Sequence, residues 1–137
     1  MIYIDSNVFA TAALDQGALG QKARRIIDAI ETGKLLACTS ALTVGEVMWA
    51  VKKIGGKEQA IATARTILAL RNLDVCDASH SVISEAVDIF SHSELHPRDA
   101  IHYATMRSRG IKTMISNDAN FDKIKEITRK PIEKALI

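Results

Sequence analysis

Apolar positions recur along this chain on two length scales. Four short runs, at residues 1–4 (MIYI), 35–38 (LLAC), 73–76 (LDVC) and 112–115 (KTMI), have the length of buried strands. The longer segments between them carry helical spacing. Ala23, Ile26, Ile27, Ile30; Val44, Val47, Met48, Val51; Ile83, Ala86, Val87, Phe90; and Pro97, Ala100, Ile101, Ala104 each follow i, i+3, i+4, i+7 and so lay one stripe on a core. Residues 58–70 are helical too, with a broader apolar arc, and Gly55-Gly56 separates them from the helix before. Ser40 is placed to cap the helix carrying Glu46, Pro97 fits the first position of the helix carrying Asp99, and Gly110 falls just past its end. Strands apolar throughout and separated by helices predict a mostly parallel sheet covered on both faces, a three-layer α/β/α domain. No repeat, low-complexity stretch or Pro/Gly-rich linker divides residues 1–137, so one domain is expected. In such sheets ligands bind beyond the carboxyl ends of the strands, where successive connections diverge.

Composition narrows this picture. The 137 residues are 47% apolar and 25% charged, which is the globular range and can supply one core without disulfides or a structural metal. Aromatics make up only 4%, which disfavours a nucleic-acid reader built on stacking rings. The net charge of +2 leaves any affinity for nucleic acid to local patches. Lys123, Lys125, Arg129, Lys130 and Lys134 cluster near the end, but Glu126 and Glu133 interleave them and a solvated face is expected there. No apolar stretch approaches the roughly 18 residues that span a bilayer, and the first run turns polar at Asp5, too early for a signal-peptide core, so a cytoplasmic location is expected. Cys38 and Cys76 lack metal-ligand spacing and read as small buried hydrophobes.

The chemistry lies in the carboxylates. Asp5 ends the first strand and Asp118 follows the last by three residues, so both face the ligand-binding edge. Each also has a bland reading, because Asp is common in strand-to-helix turns and caps helices. Glu46 sits beside the apolar stripe of its helix, from which it reaches the edge or solvent. Asp99, at the third position of its helix, complements the helix dipole. It is as a set that the four point to function. Four carboxylates at close range repel by roughly 4 kcal/mol per ~4 Å pair at an effective dielectric of 20, and such a cluster needs a cation. Oxygen ligands select a hard ion, Mg²⁺ or Mn²⁺. His80, His92, His96 and His102 form no H-E-x-x-H pattern and read as surface or helix-flanking residues. A phosphate-binding glycine loop, a dinucleotide fingerprint and a G-x-S-x-G elbow are all missing from the sequence.

Four segments, "YIDSNVF", "SALTVGEV", "HPRDAIHYATMRSRGI" and "MISNDANFDKI", resemble in order and spacing the successive motifs of the PIN-domain family, across nearly the whole chain. The resemblance implies an α/β nuclease fold and a Mg²⁺- or Mn²⁺-dependent endoribonuclease. At this size it implies a VapC-like toxin of a type II toxin–antitoxin pair, with a small antitoxin partner and a homodimer. Carried over, Asp5, Asp99 and Asp118 are the metal ligands and Glu46 the fourth catalytic acid. Ser6, Asn7, Ser116 and Asn120 are supporting polar residues, and the capping role passes from Asp5 to Ser6 or Asn7. Asn120 stands where the family often has a further acid, and Asp122 is expected to point elsewhere. Arg98 is a candidate contact for RNA phosphates, together with the basic C-terminal segment. Trp49, Leu68 and Leu70 are the apolar candidates for a subunit contact.

Two other readings compete. One is a PIN-like domain that binds RNA or protein with little or no cleavage, which Asn120 favours and the four acids disfavour. The other is phosphoryl transfer on Asp5, which leaves Glu46 and the "RDAIHYA" segment without a role.

Overall fold

The computed structural model describes residues 1–136 and contains a five-stranded sheet in which every pairing is parallel. Its strands are β1 (Ile2–Ile4), β2 (Ala37–Ser40), β3 (Leu73–Cys76), β4 (Thr113–Ile115) and β5 (Thr128–Lys130). They lie in the order β3-β2-β1-β4-β5. The chain therefore builds outward from β1 to β3, then crosses back to place β4 on the other side of β1. The reversal makes the β1/β4 boundary the crevice where a doubly wound sheet binds its ligand.

Six helices cover the two faces: α1 (Ser6–Leu14), α2 (Ala18–Glu31), α3 (Ala41–Gly55), α4 (Lys57–Ala69), α5 (His80–Ser91) and α6 (Pro97–Ser108). Side chains of a strand alternate between faces, and β1 shows this directly. Ile2 and Ile4 join Val8, Phe9, Ile26, Val47 and Ile67 in a core shared with α1 to α4. Tyr3 points the other way, into a core with Cys38, Met106, Met114 and Phe121. A smaller cluster of Val82, Ala86, Ala100 and Ala104 lets α5 and α6 approach closely through small residues.

Ser40 caps α3, its hydroxyl accepting from the Leu42 amide at 3.0 Å. Pro97 opens α6, and Gly110 follows its end with φ +66°. Both cysteines are free and buried. Among the described residues no helix is long and apolar enough to cross a membrane.

Several details differ from the sequence pattern, among them α5, which turns Val82 and Ala86 inward and leaves Ile83, Val87 and Phe90 exposed. The second strand lies two residues later than expected, because Leu36 is exposed while Thr39 and Ser40 are fully buried; Thr39 Oγ1 donates to the Ile4 carbonyl at 2.7 Å. Helix α1 has no clear stripe, only Val8 and Phe9 being buried. Strand β5 is polar, and its lysine and threonine suit an exposed edge that resists pairing with other chains. The basic C-terminal run is not wholly a solvated face. Arg129 is largely buried, holds Asp122 through two 2.9 Å contacts and donates to the Ser116 carbonyl at 2.9 Å. Of the three apolar candidates, Trp49 and Leu68 are exposed, whereas Leu70 packs against the first core.

Gly20, in the first turns of α2, is fixed by a close approach. Its amide donates to Asp15 Oδ2 at 2.7 Å, and a Cβ there would lie 1.9 Å from the Asp15 carbonyl oxygen. Gly20→Ala is expected to destabilise the fold by about 1–3 kcal/mol, as overpacking does, despite alanine's better helix propensity. Urea denaturation measures this; an unchanged or raised midpoint would contradict the contact.

Candidate metal centre

Strand and helix ends deliver the four acids to one place. Asp5 follows β1, Asp118 follows β4, Glu46 projects from α3 and Asp99 from the first turn of α6, and all four line one cavity of about 280 Å³. The cavity sits at the carboxyl ends of β1 and β4, so the topological crevice and the acidic cluster coincide.

Asp5 is 4% exposed and fully engaged. Its Oδ1 accepts from the Ser6 amide at 2.7 Å, and its Oδ2 accepts from Ser116 Oγ at 2.6 Å and from Asn7 Nδ2 at 3.0 Å. The first of these bonds makes Asp5 itself the N-cap of α1. The cap thus belongs to neither Ser6 nor Asn7: a strand that ends at Ile4 leaves residue 5 in the extended conformation a cap requires. One carboxylate both starts the helix and lines the site.

Ser116 and Asn7 tie this corner together. Asn7 Oδ1 accepts from the Asn117 amide at 3.1 Å, and Ser116 Oγ accepts from the Asp118 amide at 3.0 Å. Asp118 Oδ1 accepts from the Asn120 amide at 3.0 Å and so caps the 3₁₀ turn Ala119–Lys123. Asn120 therefore supports the site through its backbone. Asp122 is turned away, held by Arg129.

Asp99 is the anomaly. Its Oδ2 is buried without a hydrogen-bond partner, and His96 Nδ1 lies 3.6 Å away. Burial raises its pKa above the ordinary carboxylate value, and the Asp118 charge pushes the same way. A buried, unpartnered carboxylate oxygen beside a second acid lacks a counter-charge.

His102 is the residue that sequence reasoning misplaced. Whereas His80, His92 and His96 flank helices, His102 lies on α6, 1% exposed, inside the acidic cluster. Its Nε2 is 2.7 Å from Glu46 Oε1 and 3.7 Å from Asp5 Oδ1, and its Nδ1 is 2.6 Å from the Tyr3 hydroxyl. Burial alone would lower its pKa, but the Glu46 hydrogen bond and the charges of Asp5, Glu46 and Asp99 outweigh that, and the net shift is upward. Three-residue spacing from Asp99 was the available signal, since i and i+3 share a helix face. Ligating atoms of Asp5, Glu46 and His102 lie within 4.8 Å of one another. Asp99 and Asp118 share the cavity without joining that tightest group. Arg98 stands at the rim, exposed, its Nη1 3.6 Å from Glu46 Oε2, and Trp49 lines the same cavity.

The model of the PIN-domain family matches residues 2–127. The chain belongs to that family. This PIN domain is similar in fold to VapC20 of Mycobacterium tuberculosis, a toxin described as cleaving the sarcin-ricin loop. That match has a TM-score of 0.74 and 21% identity, over 89% of this chain and 93% of that one. A toxin–antitoxin complex from Klebsiella pneumoniae matches with a TM-score of 0.65 and 22% identity, over 93% and 96% of the two chains. FitAcB from Neisseria gonorrhoeae gives 0.72 and 20%, over 97% and 99%. At these identities the likeness is one of fold. No curated protein matches this chain.

Proposed function

We propose that this PIN domain is a metal-dependent endoribonuclease that hydrolyses RNA phosphodiester bonds, acting as the toxin of a type II toxin–antitoxin pair. The observation that carries the reading is the buried, unpartnered Oδ2 of Asp99 in a cavity it shares with Asp5, Glu46 and Asp118. Four carboxylates around an unpartnered Asp99 oxygen fit a hard divalent cation, Mg²⁺ or Mn²⁺, which keeps part of its water shell and accepts a few carboxylates. Asp5, Asp99 and Asp118 would hold it. Bound there, the ion would lower the pKa of a water and offset charge on the attacked phosphate.

The chain's own groups do the rest. Ser6, Asn7 and Ser116 hold Asp5 oriented by donating to both of its oxygens. Glu46 would position the attacking water and take up its proton, or join in holding a second ion. Arg98, exposed at the rim beside Glu46, pairs with a flanking phosphate, a contact that holds RNA without reading its sequence. Arg129 makes no such contact, being committed to Asp122 and Ser116.

An antitoxin and a second copy of the chain complete the proposal. Both partners of the Klebsiella assembly are described as toxin and antitoxin, and here Trp49 and Leu68 are 64% and 63% exposed, apolar surface of the kind that protein contacts cover. Asn120, at a position often acidic in the family, favours a second reading in which the domain binds RNA or protein but cuts weakly.

Metal binding separates the two. Titration with Mn²⁺ is expected to stabilise the protein by about 2.7 kcal/mol at a hundredfold excess over the dissociation constant, read as a rise in melting temperature that EDTA reverses. No rise at millimolar Mn²⁺ would favour the binding-only reading.

A further inference from the structure

We propose that His102 is a positioning residue of this site: its Nε2–H holds one oxygen of Glu46 and so presents the other to the cavity, and His102 is not itself a metal ligand. The inference rests on the metal-dependent reading above.

The hydrogen-bond chain decides the proton's place. Glu46 Oε1 lies 2.7 Å from Nε2, and an ionised carboxylate can only accept, so a proton must lie between them. In the neutral ring that proton is on Nε2, and Nδ1 accepts from the Tyr3 hydroxyl at 2.6 Å. In the charged ring Nδ1–H donates to the Tyr3 hydroxyl oxygen across the same 2.6 Å. Both states leave Nε2 protonated. The nitrogen nearest the acids therefore has no lone pair to offer an ion, although Asp5, Glu46 and His102 converge as closely as a three-ligand site.

The ring is held in place. It is 1% exposed, with Tyr3 and Phe121 edge-on at centroid distances of 5.7 and 6.3 Å. Glu46 is less enclosed: it stands mid-helix on α3, its side chain 14% exposed, with more rotamer freedom than the ring. Bound through Oε1, it keeps Oε2, 3.6 Å from Arg98 Nη1, as the oxygen available to a water or a phosphate-bound group. This is the outer-shell arrangement in which a rigid donor fixes a functional carboxylate.

Two measurements test the inference. In protein labelled with ¹⁵N-histidine, Nε2 of His102 is expected to stay protonated at saturating Mg²⁺ and to shift on Glu46→Ala. Loss of that proton on adding Mg²⁺ would make His102 a ligand and overturn the inference. In RNA cleavage at saturating Mn²⁺, His102→Leu is expected to reduce kcat about 10–100-fold. His102→Gln, which can place an amide donor near Nε2, should recover most of it, and His102→Leu should add less than about twofold in a Glu46→Ala background. Equal losses for Leu and Gln, or undiminished losses without Glu46, would refute the positioning role while leaving the nuclease reading intact. If the parent protein shows no metal-dependent cleavage, the reading beneath it fails instead. If His102→Leu does not fold, the ¹⁵N measurement on the parent decides alone.

Discussion

Asp99→Asn is expected to stabilise the metal-free protein by about 0.5–2 kcal/mol while lowering metal-dependent RNA cleavage by about a hundredfold or more. The two effects have one cause. Asp99 Oδ2 is buried without a partner, and the nearby Asp118 charge adds to the penalty for ionising it. Asparagine keeps the shape and removes the charge, so the apo fold gains what the site loses. The sign follows from linkage. A carboxyl whose folded pKa is raised favours the folded state only while protonated, so its contribution is intact below the unfolded value near 4 and is lost as pH rises through the folded value. The gap between variant and parent should therefore be small near pH 4, widen above it, and level off once Asp99 is ionised in the folded parent. Denaturant melts in EDTA at several pH values check this; a gap that is independent of pH would contradict the uncompensated charge.

Asp5→Asn is expected to lose cleavage to a similar degree but to change stability in the opposite direction, by about 1–3 kcal/mol of destabilisation. Asp5 is satisfied where Asp99 is not. Three donors converge on its two oxygens, and one of them starts α1. An amide cannot accept at both ends: whichever way it turns, an NH₂ meets either the Ser6 amide or the Asn7 amide. The same chemical change at two acids a cavity's width apart thus has opposite effects on folding and the same effect on activity. That contrast separates loss of an ion site from loss of structure. Asp5→Asn protein that cut RNA as fast as the parent would remove Asp5 from the ligand set.

The fold was legible where burial is one-sided. β1 is apolar and buried throughout, β3 and β4 bury most of their apolar residues, and α2 and α3 carry apolar stripes. Elements that keep the core at arm's length were not legible. α1 buries two residues of nine, and β5 is a polar edge strand whose identity lies in its backbone bonds to β4. Asp5, Asp99 and Asp118 could be placed at one edge because strand ends and helix starts are local features, and Glu46 because it lies beside the apolar stripe of its helix. His102 could not be placed, since its role depends on Tyr3 and Glu46, 99 and 56 residues away in the chain. The same holds for Arg129, which looked like surface charge until the fold set it against Asp122 and the Ser116 carbonyl.

Incubation of the purified protein with structured and unstructured RNAs in Mn²⁺, alongside Asp99→Asn, with the new ends mapped, is the most direct test that the acidic cavity is a nuclease site. Internal cleavage at defined positions by the parent, suppressed by EDTA and lost in the variant, is the predicted result. Cleavage retained by Asp99→Asn or undiminished in EDTA, or intact RNA with the Mn²⁺-loaded parent, would contradict it.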